Sequence, residues 1–318
     1  ERDLTEAEKQ RVRTYTAIKY GITLPHNYIA SDGSTVVWNQ TTNAGYTSNI
    51  AGLANDEGSA LHQKQSNSIN EGQQVLISTT GLANSNAANS VSLSSGQFLV
   101  WGDNGQAKSL GISHSTIVGG NPINLRMGAI WKVQNTGVVG TVRVAWRSGI
   151  VNLHLIQSPD ATIDIADTHT PMSGTITVNS VVYNYADVTL ANGSYFTFGG
   201  YVAGPGGVGQ DLSLWYRADN GVETDAAKKV TAWNNSTAND VKLTMSSASA
   251  YIPYNDQTTF TKTWNFNPTL SFDGTNNYLR NTTTAYLNTA GSVHYIAVAR
   301  LNRAASSYNS LFANSGND

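Results

Sequence analysis

Three aspartates share the stretch Ser158-Pro-Asp-Ala-Thr-Ile-Asp-Ile-Ala-Asp167, and carboxylates gathered by a tight loop are the hard oxygen ligands that Ca²⁺ takes. Asp160, Asp164 and Asp167 are therefore the candidate metal ligands, and Ca²⁺ is the one cofactor the sequence suggests. Their spacing departs from the D-x-[DN]-x-[DN]-G pattern, so a solvated turn is the competing reading. Ser113-His114-Ser115 follows Gly111 but lacks the closing glycine of G-x-S-x-G, which exposes a nucleophile on a strained turn, and it reads as a loop. The six histidines show no metal-ligand spacing on a helix. No E-x-D-x-E run presents alternating carboxylates along one strand, the arrangement a sandwich glycosidase would use, and no enzymatic activity is expected.

The elements that would hold such groups are mostly strands. Among 318 residues, only 13% are charged, about half of what soluble domains carry; Asn, Thr, Ser and 29 glycines fill the difference. That composition suits turns that hydrogen-bond through short side chains. Lys and Arg number 19 against 21 Asp and Glu, so there is no basic field for nucleic acid or an anionic membrane. No run approaches the about 18 apolar residues of a membrane span. Cysteine is absent, which excludes disulfides and thiolate chemistry.

One helix is expected, over Glu1 to Gly21. Thr5 and Glu8 have capping-box spacing, Val12, Tyr15 and Ile18 recur at about helical spacing, and Gly21 is a left-handed stop. From Tyr28 to Gly200, short β-rich runs follow: 34–38, 74–78, 97–101, 127–133, 140–146, 152–156, 174–178, 181–185 and 195–198. Asp103-Asn104-Gly105 and Asp273-Gly274 read as turns, and Trp101, Trp131, Trp146 and Trp215 as core side chains rather than sugar platforms. After the Gly/Pro-rich segment 204–209, further strands are expected at 211–216, 270–272 and 293–299, and the chain stops soon after Ser310-Leu311-Phe312-Ala313.

Asp211-Leu-Ser-Leu-Trp-Tyr-Arg-Ala-Asp-Asn-Gly-Val222, Val230-Thr-Ala-Trp-Asn234 and the F-D-G-x-x-x-Y-L core (Phe272, Asp273, Gly274, Tyr278, Leu279) resemble the opening half of a concanavalin A-like, laminin-G-type domain. Leu4-Thr-Glu-Ala-Glu-Lys-Gln-Arg-Val12 through Leu24 resembles the closing helix of the same family. Between them, Asn49-Ile-Ala-Gly-Leu-Ala-Asn-Asp-Glu-Gly58, Phe98-Leu-Val-Trp-Gly-Asp-Asn-Gly105 and Tyr195-Phe-Thr-Phe-Gly199 resemble an uncharacterised β-sandwich module of very large surface proteins of marine and Bacteroidota-type bacteria.

The expected fold is thus all-β. An antiparallel β-sandwich of jelly-roll or Ig-like type would occupy 25–203 and part of a concanavalin A-like sandwich 210–318, with 204–209 as linker and 1–24 as the closing helix of a lectin-like domain. The resemblance implies an extracellular, non-catalytic adhesive or structural module. Neighbouring copies or adjacent domains would be its partners, completing the split lectin-like domain head to tail by strand addition. The alternative it implies is a carbohydrate-binding module that takes surface glycans, with Ca²⁺ assisting.

Overall fold

Thr5 starts the α-helix α1 (Glu6–Tyr20) by the box its spacing announces: the Glu8 N–H donates to Thr5 Oγ1 at 3.3 Å and the Thr5 N–H returns to Glu8 Oε2 at 2.9 Å. Gly21 ends it at φ +66°. A Cβ at Gly21 would overlap the Asn67 carbonyl oxygen, and the Gly21 carbonyl already accepts the Ile69 N–H. Gly21→Ala is expected to cost more than about 2 kcal/mol, read as a lowered urea midpoint, because it adds backbone strain to that overlap. An unchanged midpoint would contradict the αL stop.

The computed structural model describes residues 2–209, 212–237, 241–245, 251–256, 264–274, 277–281 and 294–300, and the chain divides into two compact units, Glu1–Asp211 and Leu212–Asp318. After α1 the first unit contains β1 (Tyr28–Ile29), β2 (Val36–Trp38), β3 (Ser48–Asp56), β4 (Leu61–Gln63), β5 (Gln65–Ser66), β6 (Leu76–Thr79), β7 (Gln97–Asp103) and β8 (Leu110–Val118). It continues with β9 (Asn121–Met127), β10 (Trp131–Thr136), β11 (Thr141–Arg147), β12 (Val151–Ser158), β13 (Thr168–Pro171), β14 (Gly174–Val178), β15 (Val181–Thr189) and β16 (Tyr195–Tyr201). All its ladders are antiparallel. The larger sheet runs β13-β12-β16-β10-β7-β3-β4, with the β8–β9 hairpin joined to β16; the smaller runs β14-β15-β11-β6-β5. The all-β class with one N-terminal helix is as the sequence implied.

Alternation along the strands sorts the cores. Leu53, Leu99, Trp101, Trp131, Val133, Leu155, Phe196 and Phe198 of the larger sheet meet Ile77, Val142, Val144 and Trp146 of the smaller one. Trp131 stacks on Phe196 at a centroid distance of 5.4 Å and meets Trp146 edge-on at 5.9 Å. On the opposite face of β3 and β7, Ile50, Ala54, Phe98 and Val100 pack against Ala17 and Ile18 of α1 with Val37 and Trp38. So β7 is buried on both sides, which is why Gln97-Phe-Leu-Val-Trp reads as a nearly continuous apolar run.

The stripe of α1 packs within the first unit, Ala17 and Ile18 lying against Tyr28, Val37, Trp38, Ile50 and Phe98. The boundary between the units falls two residues beyond the expected 204–209 segment, of which Pro205–Gly207 forms a short 3₁₀ turn.

Other expectations shift locally. The run 127–133 breaks at Gly128–Ile130, where β9, paired to β16 at Gly199 and Gly200, ends and β10, paired to both β16 and β7, begins. Ser113-His114-Ser115 is not a loop but part of β8. Asp103 does close a turn, its Oδ1 accepting the Gly105 N–H at 2.8 Å with Gly105 at φ +70°.

The second unit contains β17 (Val222–Thr224), β18 (Val230–Asn234), β19 (Lys242–Met245), β20 (Tyr254–Asn255), β21 (Thr269–Leu270) and β22 (Leu279–Arg280). The sheet order is β17-β18-β19-β22, with β20 paired to β21. Residues 212–216 and 294–299, both expected as strands, carry no regular structure, and Trp215 is half-buried under the Arg217 guanidinium rather than in a core. Asp211, Val293 and 310–313 lie outside the described residues. Asp273 does turn the chain, with Gly274 at φ +67° and the Asp273 N–H donating to Asn277 Oδ1 at 2.9 Å.

Candidate functional site

On β10 the alternation that sends Trp131 and Val133 inward sends Lys132 and Gln134 outward, where they meet the 39–43 turn and the Asn192-Gly193 turn. Together they line a cleft of about 430 Å³. Gln134 fixes its floor: Oε1 accepts from the Asn39 N–H and from Asn43 Nδ2, each at 2.9 Å, while Nε2 donates to the Val36 carbonyl at 2.8 Å. Asn39 Oδ1 shapes the turn by accepting the Thr41 and Thr42 N–H groups at 2.9 and 3.1 Å. Across the cleft, Asn192 Oδ1 accepts the Asn135 N–H at 3.0 Å.

The one charge in the lining is Lys132. Its Nζ donates to the Thr42 carbonyl at 2.7 Å and stands 5.3 Å from the Tyr195 ring centroid, with Tyr46 edge-on to Tyr195 at 5.2 Å. Neutral amides, hydroxyls and one ammonium beside two half-buried tyrosines offer directional donors and acceptors next to aromatic surface. Such a surface can hydrogen-bond a polar ligand and cover an apolar face of it.

A second cleft, of about 410 Å³, lies where α1 meets β1, β3 and β4, and its charges are already engaged. Arg11 Nη1 donates to the Ser31 carbonyl at 3.0 Å, Asp56 accepts from the Ser31 N–H and hydroxyl, and Glu8 is bound by Arg2 and Thr5. The hydrogen bonds from Arg2, then those from Thr5, hold the Glu8 carboxyl far below the usual range.

In the acidic loop each of the three carboxylates accepts a backbone N–H. Asp160 Oδ1 accepts the Thr162 N–H at 2.7 Å, Asp164 Oδ1 the Ala166 N–H at 2.8 Å, and Asp167 Oδ2 the Asp164 N–H at 2.8 Å. Each carboxylate closes a backbone turn, and among the described residues no three His, Cys, Asp or Glu side chains converge as a metal site.

Next to this loop the fold gathers three histidines that the sequence leaves far apart. His114 (β8), His154 (β12) and His169 (β13) come together where the β8–β9 hairpin joins the larger sheet. A carbonyl only accepts, so His169 Nδ1–H donates to the Asp167 carbonyl at 2.7 Å, and His169 Nε2 and His114 Nε2 share a hydrogen bond at 2.7 Å. In the same way His154 Nδ1–H donates to the Asn152 carbonyl at 2.7 Å, and its buried Nε2 has no partner.

Burial, then the neighbouring His169 and Arg126, pull His114 down to about 4, while Asp167 and Asp164 oppose the shift. Burial also lowers His154. Both shifts favour the neutral imidazole at His114 and His154. No spacing in the sequence signals it, because cross-strand pairing alone brings the three rings together. The cleft was more accessible to reasoning, since outward polar residues alternate with core residues in Trp131-Lys-Val-Gln134.

The family described as a domain of unknown function, DUF8202, matches residues 8–194, a span that takes in most of α1 and β1 through β15. No curated protein and no solved structure matches the chain.

Proposed function

We propose, from the premise that the chain belongs to the DUF8202 family through residues 8–194, that it is a non-catalytic adhesive module of a large secreted bacterial surface protein. Its contact surface is the amide-lined cleft between the 39–43 turn, β10 and the Asn192-Gly193 turn, and its ligand class is surface glycan. The observation that carries this reading is the cleft's chemistry: Asn39 and Asn192 carry amides on its two turns, with Lys132 a single ammonium between them and Tyr195 an aromatic face beside it.

The low charge content and the absence of cysteine are in keeping with an extracellular setting shared with adjacent domains or neighbouring copies of the same protein. The resemblance of 211–279 to a laminin-G-type domain points the same way. Binding needs no Ca²⁺ in this reading, because the cleft is formed by amides and not by carboxylates.

The test is a glycan array probed with the purified chain, with and without chelator, followed by titration of the best glycan. The expected result is saturable, chelator-insensitive binding that weakens at least about tenfold in a Lys132→Ala, Asn192→Ala double variant, a loss of about 1.4 kcal/mol or more. No saturable binding, or binding that the double variant retains in full, would leave the module a scaffold without this site.

A further inference from the structure

At the edge where β3 meets the end of β7, an amine, a carboxamide and a buried carboxylate share one oxygen atom. Asp103 is fully buried, and its Oδ2 accepts from Asn49 Nδ2 at 2.8 Å and from Lys108 Nζ at 3.1 Å. The carboxylate can only accept, which fixes the Asn49 amide with nitrogen toward Asp103 and oxygen away from it. That oxygen, Oδ1, accepts from Asn70 Nδ2 at 2.9 Å and Gln74 Nε2 at 3.4 Å. Lys108 Nζ is held from its other side by Gln74 Oε1 at 3.0 Å.

Asn49 sits where the β3–β7 register slips between Ser48 and Ala51, at φ +51°, and such irregularities re-aim side chains beside reactive sites. The Lys108 side chain is only 19% exposed. An ion pair alone would not explain why the Asn49 carbonyl is also capped by two amide donors.

We propose that Lys108 and Asn49 become joined by an intramolecular isopeptide bond, with Asp103 as the proton carrier. Asp103 takes a proton from the Lys108 ammonium, and the freed Nζ lone pair attacks Asn49 Cγ. The carbonyl electron pair moves onto Oδ1, where the Asn70 and Gln74 N–H groups stabilise the oxyanion. Asp103 delivers its proton to Nδ2, the Cγ–Nδ2 bond breaks, and ammonia leaves with the second proton lost from Nζ. An ammonium and a carboxamide thus become a secondary amide and ammonium, with no oxidant or cofactor required. The bond would staple the start of β3 to the segment following β7 in a chain without cysteine. The inference does not depend on the glycan reading.

Intact-mass spectrometry of the denatured chain, after incubation at neutral pH, tests it. The expected mass lies one ammonia, about 17 Da, below that of the sequence, and digestion yields a branched peptide joining Asn49 to Lys108. Lys108→Arg keeps a cation on Asp103 but lacks the nucleophilic amine, and is expected at its full sequence mass; so is Asp103→Asn. A wild-type chain at full mass overturns the proposal. So does a deficit that persists in Lys108→Arg, which would place the lost ammonia elsewhere, as in succinimide formation at Asn104-Gly105.

Discussion

Trp131→Ala is expected to destabilise the Glu1–Asp211 unit by about 4 kcal/mol, the middle of the range for removing a large aromatic from a packed core. The indole is fully buried between the two sheets and touches three other rings: Phe196 stacked at 5.4 Å, Phe198 edge-on at 5.4 Å and Trp146 edge-on at 5.9 Å. Truncation empties the middle of that cluster, and strands that pair on both edges, as β10 does with β7 and β16, cannot easily collapse into the space. Trp131→Phe keeps the stacking partner and should cost about half as much. Urea unfolding followed by far-UV circular dichroism reads both. A Trp131→Ala loss under about 1 kcal/mol would mean the rings do not form the centre of the core.

The second large effect is a pH dependence set by His114. Its folded pKa, about 4, lies below the ordinary histidine value, so between the two the unfolded chain binds the extra proton. Stability from this residue is therefore complete above about pH 6.5 and is lost as pH falls toward 4, by about 3 kcal/mol. The groups facing the ring bear on the size of the effect: His169 and Arg126 disfavour the imidazolium, while Asp167 and Asp164 favour it. Carboxylates elsewhere also lose stabilisation near pH 4, so the measurement is a difference. Urea midpoints of wild type and His114→Asn, taken from pH 7 to 4, should converge as pH falls. Parallel curves would remove His114 from the acid sensitivity.

Several elements were legible in the sequence because local chemistry alone specifies them. Thr5, Glu8 and Gly21 mark both ends of α1 at the positions their side chains or lack of one require. Asp103 and Gly105 announce the turn after β7. What was not legible depends on partners distant along the chain. The break at Gly128–Ile130 inside an apolar run separates two strands that pair with successive stretches of β16, Arg126 opposite Gly199 and Trp131 opposite Phe196. Residues 294–299 alternate as a strand should, yet form no ladder among the described residues. The backbone N–H groups that Asp160, Asp164 and Asp167 accept could not be read from the clustering of the three carboxylates alone. The histidine cluster needed β8, β12 and β13 brought together, and the cleft needed the 39–43 turn to meet a strand about 90 residues later.

A strand that serves two cores also couples their lifetimes. Phe98 and Val100 of β7 hold the α1 side while Leu99 and Trp101 hold the sheet-to-sheet side, so loosening either side leaves the same backbone half unsupported. Partial opening is then poorly populated: the intermediate in which α1 lifts away exposes an apolar row and keeps none of the entropy gained by melting the rest. Amide protons along β7 should consequently exchange with solvent only when the whole unit opens, making this strand the slowest clock in the molecule.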